Sequence, residues 1–369
     1  MSEALFDLSL TEDQRMTRES LKRFAGEVLR IQGRPADDAG ATPAGFYART
    51  QDLGLTLMPI PEDFGGAGAP RSPVSNVLAL EDMAWGDMSL ALGTITPLSV
   101  VNLLLDQGSA AQQEHYLARL ASESFVPATI ALMEPRARFD ATDIRTTARR
   151  DGDGYVLDGE KSMVILGASA EFIVVVATVA GEGATAFIVE KGAEGLQVTP
   201  EALMGLRAVE VSRIVLAGVR VPASARVGEA EKQFDLERLV DLGRIGVCAL
   251  AVGTCQAVLD HVVPYVNDRV AFGEPISHRQ SVAFMVANIA IELDAMRLLT
   301  LRAASRAEQG LPFHKEAYLA RVLCAEKAME IGTNGIQLLG GAGFLREHPC
   351  ELFYRNLRAI GVLEGAALV

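Results

Sequence analysis

The chain has 369 residues, and its 34 lysines and arginines against 47 aspartates and glutamates give a formal net charge of -13. A chain of this length buries a large core and divides into two or three domains. The acidic balance, without a basic run, excludes nucleic acid as a partner class, the N-terminus does not have the pattern of a signal peptide, and no membrane span is predicted.

The first part of the chain, residues 1–130, carries helix-type periodicity and predicts an N-terminal helical domain. Thr11 begins the first helix with a capping-box spacing onto Gln14. Pro97 is a predicted helix start or kink. A glycine-rich loop at 59–68 lacks the spacing of a dinucleotide fingerprint. Further helices are predicted at 44–53, 72–85, 90–107 and 111–122.

The middle part, residues 131–235, changes to a period of two, which predicts short strands. Gly-Asp-Gly at 152–154 and Gly-Glu-Gly at 181–183 supply turns. Strands so close together, with no helices between them, predict an antiparallel sheet or a small barrel. The predicted strands lie at 144–149, 155–157, 172–179, 185–189, 196–199 and 213–216.

The last part, residues 236–369, is helical again. Its long amphipathic segments predict a C-terminal four-helix bundle. The predicted fold class is therefore α+β, with an N-terminal helical domain, a middle antiparallel β domain and the bundle. The four predicted helices span 232–268, 280–309, 315–339 and 349–363.

The cysteines and histidines give no sign of a metal or disulfide framework. No C-x-x-C pair occurs, and three cysteines lie in helical patterns, which indicates reduced core thiols and favours a cytoplasmic protein. The five histidines are scattered without an H-E-x-x-H sequence, so no metal site is predicted. The cysteines are Cys248, Cys255, Cys324 and Cys350.

The most informative segment is the connector between the first two bundle helices, Arg-Val-Ala-Phe-Gly-Glu-Pro-Ile-Ser-His-Arg-Gln at 269–280. Phe272 is an apolar residue in a connector, and Gly-Glu-Pro forces a turn between the guanidinium of Arg269 and the amide of Gln280. A guanidinium over a turn suits a pyrophosphate. An ordinary helix end followed by a proline turn explains the spacing equally well.

Motifs along nearly the whole chain resemble those of the acyl-CoA dehydrogenase family. Each motif alone is weak, but they occur in the expected order and spacing. They include Pro-Glu-Asp-Phe-Gly-Gly-Ala-Gly at 61–68, Ala-Leu-Met-Glu-Pro at 131–135, Tyr-Val-Leu-Asp-Gly-Glu-Lys at 155–161, Met-Gly-Leu-Arg at 204–207, Asp-Leu-Gly-Arg at 241–244, the connector at 269–280, Gln-Leu-Leu-Gly-Gly-Ala-Gly-Phe at 337–344 and Glu-Gly at 364–365.

The resemblance implies an FAD site that is shared between subunits. Arg269, Phe272 and Gln280 would reach the pyrophosphate and adenine half of a flavin bound mostly by the partner subunit. Gln337 and Gly341 would do so from a second loop, where glycine permits close approach. The alternative for this second loop is a helix-ending turn. A shared site implies an oligomer: a homodimer, a homotetramer or a heteromer.

The resemblance also implies that Glu364 is a catalytic base. In the family this base removes the pro-R α proton of an acyl-CoA thioester while hydride leaves Cβ for flavin N5, which gives the trans-2-enoyl-CoA. Val362, Leu363 and Ala366 are apolar neighbours that would shield the carboxylate from water. Some members place the base one residue before the arginine of the first bundle helix, where this chain has Gly243. The alternative is a solvated acid near a fraying C-terminus.

Two further expectations come from the same resemblance. Asp241 and Arg244 match residues that contact CoA, although a helix-spaced ion pair is an alternative. An electron-transfer flavoprotein is the implied electron acceptor.

The chain departs from the family pattern where the flavin ring is contacted. Met133 occupies the place of a threonine that bonds the ring, and Met163 and Ile165 replace a stacking tryptophan and a second threonine. By resemblance these three residues are the ring contacts of this chain. The other departures are Gly-Ser replaced by Arg138-Phe139, and Thr and Gln replaced by Ala366 and Leu368.

These departures leave two main hypotheses. The chain is an FAD-dependent acyl-CoA dehydrogenase with an apolar ring pocket, or it is a flavin-poor or non-catalytic subunit that lends FAD-binding residues to a partner in a heteromeric acyl-CoA dehydrogenase. The retained Glu364 favours the first. The lost ring contacts favour the second, because each neutral hydrogen bond contributes about 1 kcal/mol. A non-enzymatic acyl-CoA-binding scaffold is a third class.

Overall fold

The computed structural model describes residues 9–137, 139–229 and 232–369. Helices form both ends of the described chain and one seven-stranded sheet lies between them. The α+β class, with this order of helical, β and helical parts, is confirmed. The predicted domain boundaries stay predictions, and Arg138 lies outside the described residues.

The N-terminal helices follow the predicted pattern closely. The capping box of Thr11 and Gln14 is present, and Pro97 lies inside a continuous helix rather than at a new start. The helices are α1 (Glu12–Phe24), α2 (Arg30–Ala39), α3 (Phe46–Gln51), α4 (Pro73–Gly86), α5 (Met88–Gln107), α6 (Ala110–Gln112) and α7 (Ala118–Leu120), with π turns at Ala25–Leu29 and Gln113–Leu117.

The sheet is mixed, so the expectation of a purely antiparallel sheet is wrong. β1 and β2 both run parallel to β4, while the other pairs are antiparallel. Parallel pairing requires a connection of a dozen or more residues, and the chain that folds as β3 provides it between β2 and β4. The strands are β1 (Ala128–Ala131), β2 (Thr147–Asp151), β3 (Gly154–Ile165), β4 (Phe172–Val179), β5 (Gly183–Glu190), β6 (Leu196–Pro200) and β7 (Val211–Pro222).

The C-terminal part contains three long helices, α8 (Leu236–Asp268), α9 (Gln280–Glu308) and α10 (His314–Leu339). The predicted fourth helix is much shorter: α11 covers Cys350–Leu357 and passes into a 3-10 turn at Arg358–Gly361. The chain then becomes a buried tail. α4 packs along both α8 and α9, so an N-terminal helix completes the bundle.

Two helices, α5 and α8, are long and apolar enough to cross a membrane by length and composition alone. The expectation of no membrane span stays a prediction. Their most apolar windows are 94% and 83% buried inside the protein, respectively, and burial on all sides explains a helix that is hydrophobic all round. All four cysteines are buried thiols, as expected.

Candidate active site

Glu364 lies in the C-terminal tail with both carboxylate oxygens in ion pairs. Its Oε2 is 3.2 Å from Nε of Arg244, and its Oε1 is 3.5 Å from Nε of Arg321. The side chain is 16% exposed. Glu364 is thus neither a solvated acid nor enclosed by apolar neighbours alone, because two guanidinium groups face it and Val362 is exposed.

The tail that carries Glu364 is anchored inside the protein. Ser99 on α5 accepts a hydrogen bond from the Leu368 amide at 2.9 Å, and Asn102 donates to the Leu368 carbonyl at 3.0 Å. Gly243 and Gly246 on α8 lie against the tail, where a Cβ atom at either position would collide with its backbone. A glutamate at position 243 would therefore displace the segment that holds Glu364.

The two residues expected to contact CoA lie beside Glu364. Arg244 pairs with Glu364 and also approaches Asp241, with Nη1 of Arg244 3.5 Å from Oδ1 of Asp241. The ion pair proposed as an alternative therefore exists, and it lies within the candidate site. Burial raises the pKa of Asp241, although His314, whose Nδ1 lies 2.8 Å from Oδ2, opposes that shift.

Two cavities lead to this group. One of about 670 Å³ is lined by Asp241, Arg244 and His314, and a second of about 480 Å³ is lined by Phe139, Arg244 and Glu364. Arg244 belongs to both. The larger cavity has the volume of a small-molecule site, and the smaller one reaches the Glu364 carboxylate.

The side chains of Glu237, Asp241 and His314 place ligand-type atoms within 4.8 Å of one another, a spacing that a cation site can have. The hydrogen bond between His314 and Asp241 explains this grouping without a metal. The absence of a metal site stays a prediction.

Met133 lies on the segment that follows β1, and Met163 and Ile165 lie at the end of β3. The Glu364 amide donates to Sδ of Met133 at 3.3 Å. Met163 has a left-handed backbone with φ 54°, and its amide donates to Glu201 at 2.7 Å. A non-glycine residue in this conformation carries strain that often marks a functional site.

A buried ion pair ties these two segments together, and the sequence analysis gave it no role. Nζ of Lys161 is 3.2 Å from Oε1 of Glu134 and donates to the Leu132 carbonyl at 3.0 Å. Burial lowers the pKa of Lys161 to about 8, and Glu134 opposes that shift. Glu134 also accepts two hydrogen bonds from Thr146. These bonds satisfy a pair of charges that would otherwise be costly to bury.

The loop after Met133 closes on itself. Arg136 bonds Asp143 at 2.6 Å, pairs with Glu134 at 3.4 Å, and places its guanidinium 5.6 Å from the ring centre of Phe139. Phe139, which the resemblance places where the family has a serine, therefore contacts Arg136 of its own chain.

The residues expected to serve a partner's flavin are exposed, and they lie at or near the ends of α8 and α10 that are remote from Arg244 and Arg321, and at the start of α9. Arg269, Phe272, Gln337 and Gly341 line one cavity of about 940 Å³. Gln280 is exposed at the first residue of α9 beside this cavity. The structure therefore brings four of the five residues together and leaves Gln280 at the rim.

Phe272 is presented at the tip of a two-stranded hairpin formed by β8 (Val270–Ala271) and β9 (Glu274–Pro275). Both turn residues, Phe272 and Gly273, have positive φ, as a tight hairpin turn requires. The Phe272 ring is 95% exposed, so its own subunit gives it little burial.

Comparisons with known proteins identify the family of this chain. Three family models match: acyl-CoA dehydrogenase N-terminal domain at 11–124, middle domain at 129–219 and C-terminal domain at 235–369. The probable acyl-CoA dehydrogenase YngJ of Bacillus subtilis is 34% identical, with 98% of this chain and 96% of that protein covered. The chain belongs to the acyl-CoA dehydrogenase family.

Solved structures give the same result. Butyryl-CoA dehydrogenase from Megasphaera elsdenii is 30% identical with a TM-score of 0.88, covering 96% of this chain and 95% of that one. A glutaryl-CoA dehydrogenase from Mycobacterium smegmatis in complex with FADH2 is 25% identical with a TM-score of 0.86, covering 96% and 91%. Members of this family are FAD-dependent oxidoreductases that bind acyl-CoA and form oligomers.

The residues present fit the two halves of FAD unequally. The outward cavity offers the guanidinium of Arg269 and the unobstructed backbone of Gly341, where a Cβ atom would meet nothing within 4 Å. These features suit a pyrophosphate that needs close backbone approach. Met133, Met163 and Ile165 have no side-chain donor, so on the ring side only backbone groups of these residues can donate.

Arg321 is the site residue that sequence reasoning missed. It lies 43 positions before Glu364 in an ordinary helical pattern, and no spacing rule connects the two. Only the fold of the tail onto α10 brings them together.

Proposed function

We propose that this chain catalyses the α,β-dehydrogenation of an acyl-CoA thioester, with Glu364 as the α-proton base. The observation that supports this most directly is the position of the Glu364 carboxylate on the wall of a cavity that also contains Arg244. A base must come within hydrogen-bonding distance of the proton that it removes, and this cavity gives a substrate that access.

In the proposed mechanism the CoA portion lies along Asp241 and Arg244, and the acyl carbons reach Glu364. Its carboxylate takes the α proton, and the C–H electron pair remains on the thioester enolate. FAD, when bound, supplies the acceptor for the hydrogen of Cβ. Release of Oε2 of Glu364 by Arg244 would leave that oxygen fully open to the substrate proton.

The residues proposed to hold the cofactor fall into two groups. Arg269, Phe272, Gln337 and Gly341, with Gln280 at the rim, would hold the pyrophosphate and adenine half in the neighbouring subunit. Met133, Met163 and Ile165 would pack against the ring in their own subunit.

A second candidate function is supported by the closed loop around Arg136. Its bonds to Glu134 and Asp143, and its stacking over Phe139, order the segment where the family resemblance places flavin contacts. In this alternative the chain binds little flavin itself and lends the outward cavity to a different, flavin-binding subunit.

The visible absorption spectrum of the chain purified alone separates the two candidates. About one FAD per chain, with bleaching on addition of an acyl-CoA, supports the complete dehydrogenase. A colourless protein that refuses added FAD contradicts it and supports the heteromeric alternative. Transfer of electrons to an electron-transfer flavoprotein and a cytoplasmic location are further parts of this proposal, tested by a reduction assay and by fractionation.

A further inference from the structure

The two arginines that hold Glu364 differ in their surroundings. Arg244 lines both cavities of the candidate site. Arg321 is buried on α10, with 8% of its surface exposed. The same carboxylate is therefore paired once with an arginine that a ligand can reach and once with an arginine inside the protein.

Arg321 directs all of its nitrogens at a single segment of the chain. Nη1 donates to the Ile360 carbonyl, Nη2 donates to the Leu363 carbonyl at 3.0 Å, and Nε lies 3.5 Å from Oε1 of Glu364. Carbonyls at the end of a helical segment lack partners within the helix, and a buried guanidinium needs several acceptors. The guanidinium supplies donors to these carbonyls and the carbonyls supply acceptors to the guanidinium, so Arg321 and the segment 360–364 are fixed together.

Arg244 has an alternative partner. Oδ1 of Asp241 is buried without a hydrogen bond, and Nη1 of Arg244 is already 3.5 Å away. A small rotation of the Arg244 side chain would satisfy this oxygen and release Glu364. Arg321 has no comparable freedom, because its two terminal nitrogens are bonded to the main chain.

We propose that Arg321 is a positioning residue for α-proton removal, and that Arg244 is the residue that exchanges one carboxylate partner for another. Arg321 holds Glu364 in place throughout. Arg244 moves from Glu364 to Oδ1 of Asp241 when a thioester enters the cavity, which frees one carboxylate oxygen. This inference rests on the proposed function and adds to it a separate role for each of the two ion pairs of the base.

The proton step can be followed without oxidation. The Glu364 carboxylate accepts the α proton, the electron pair stays on the enolate, and in D2O the acid exchanges its proton and returns a deuteron to the α carbon. Incorporation of deuterium into butyryl-CoA, followed by mass spectrometry, therefore reports the base directly. The rate at saturating butyryl-CoA and the concentration at half-saturation are measured separately.

Four variants of the protein as purified test the proposal. We expect Arg321→Gln to lower the saturating exchange rate about 100-fold, since misplacing a catalytic group by about 1 Å costs about that factor, with half-saturation changed less than about threefold. Arg321→Lys keeps the charge and should recover part of the loss. Arg244→Gln should instead raise half-saturation about tenfold or more, the loss expected for a charged contact. Lys327→Met removes an ion-pairing cation from the same helix, away from the site, and should match the unaltered protein.

Several results would overturn the proposal. The positioning role is wrong if the saturating exchange rate of Arg321→Gln stays within about threefold of that of the unaltered protein. It is also wrong if Arg321→Gln raises the half-saturation concentration as Arg244→Gln does. Equal loss in Arg321→Lys and Arg321→Gln, with faster amide hydrogen exchange throughout 360–369 in both, assigns Arg321 to folding of the tail alone. If the unaltered protein neither exchanges nor oxidises butyryl-CoA or longer acyl-CoA thioesters, the proposed function itself fails, and this inference fails with it.

Discussion

The outward cavity around Arg269 and the inward region around Met133 are the two halves of one proposed cofactor site, and they differ in almost every property. The outward cavity is open, it combines an apolar lining with the guanidinium of Arg269, and it presents Phe272 with 95% of its surface exposed. The inward region is buried and apolar, and it is tied to Glu364 through Met133. The outward half is therefore largely exposed, whereas the inward half is stabilised chiefly by contacts within the chain.

In the proposed site, binding of a partner's cofactor and stability of this chain therefore depend on different residues. The outward residues have few partners within the subunit, so a binding role is the most economical reason for their exposure and strained backbone. The inward residues already have partners, and each could be retained for stability alone. Substitutions in the outward half should therefore weaken FAD binding, whereas substitutions in the inward half should also lower the free energy of unfolding.

The largest expected effect comes from Glu364 itself. Glu364→Gln should lower dehydrogenation at least about 1,000-fold, within the range for loss of a general base, while FAD content per chain stays the same. Stopped-flow measurement of flavin reduction by acyl-CoA checks this. Glu326→Gln, at an exposed acid on α10, is the matched control. Unchanged turnover in Glu364→Gln would remove the base assignment.

Lys161→Met should act on stability in the inward half. It removes the more deeply buried of the two cations that pair with Glu134, and breaking a buried pair costs about 3–5 kcal/mol of unfolding free energy. Urea unfolding monitored by circular dichroism measures the loss. Lys191→Met, which breaks an exposed pair with Glu171, should cost less than about 1 kcal/mol. Similar losses in both variants would contradict the importance of the buried pair.

The same lysine predicts a pH dependence of stability. The pKa of Lys161 is lowered from its usual 10.5 to about 8, so between these values the unfolded chain binds the proton that the folded protein has released. Unfolding then takes up a proton, and this group makes stability rise with pH across the window. Lys161→Met should lack this contribution. Parallel stability curves for the two proteins between pH 8 and 10.5 would argue against the shift.

In the outward half, Arg269→Ala should weaken FAD binding without affecting folding. Loss of a charge-assisted hydrogen bond costs about 1.5–3 kcal/mol, which corresponds to roughly a 10- to 150-fold rise in the dissociation constant. Fluorescence titration of the deflavinated oligomer with FAD measures it. Arg15→Ala, at an exposed ion pair on α1, controls for charge. An unaltered dissociation constant would show that Arg269 does not contribute to FAD binding.

The smallest expected effect is a gain in FAD affinity from substitutions in the inward half. Met133→Thr and Ile165→Thr each restore a hydroxyl to the inward half, and about 1 kcal/mol per bond gives roughly a fivefold gain in FAD affinity for each. Met204→Thr, at an exposed methionine, is the control. No gain from either substitution would mean that the missing side-chain donors do not limit the binding of the flavin ring.

Much of the fold could be predicted from local signals. The capping box at Thr11, the eight-residue strand β4 and the long helices α8 to α10 follow from periodicity and turn residues. The parallel pairing of β1 and β2 with β4 could not be predicted, because alternation indicates which face is buried and not which strand lies alongside. The short α11 was also missed, since its apolar continuation at 362–369 is equally compatible with a helix and with a buried tail.

The order of the helical and β parts, the family, and the proposed site residues Glu364, Arg244 and Arg269 could all be read from the amino-acid sequence alone. These features are carried by residue types at fixed local spacings, which periodicity and motif order record. Only the tertiary structure decided that Glu364 is held between Arg244 and Arg321, and that Lys161 pairs with Glu134. Such contacts depend on how distant segments pack, and local sequence spacing carries no information about that.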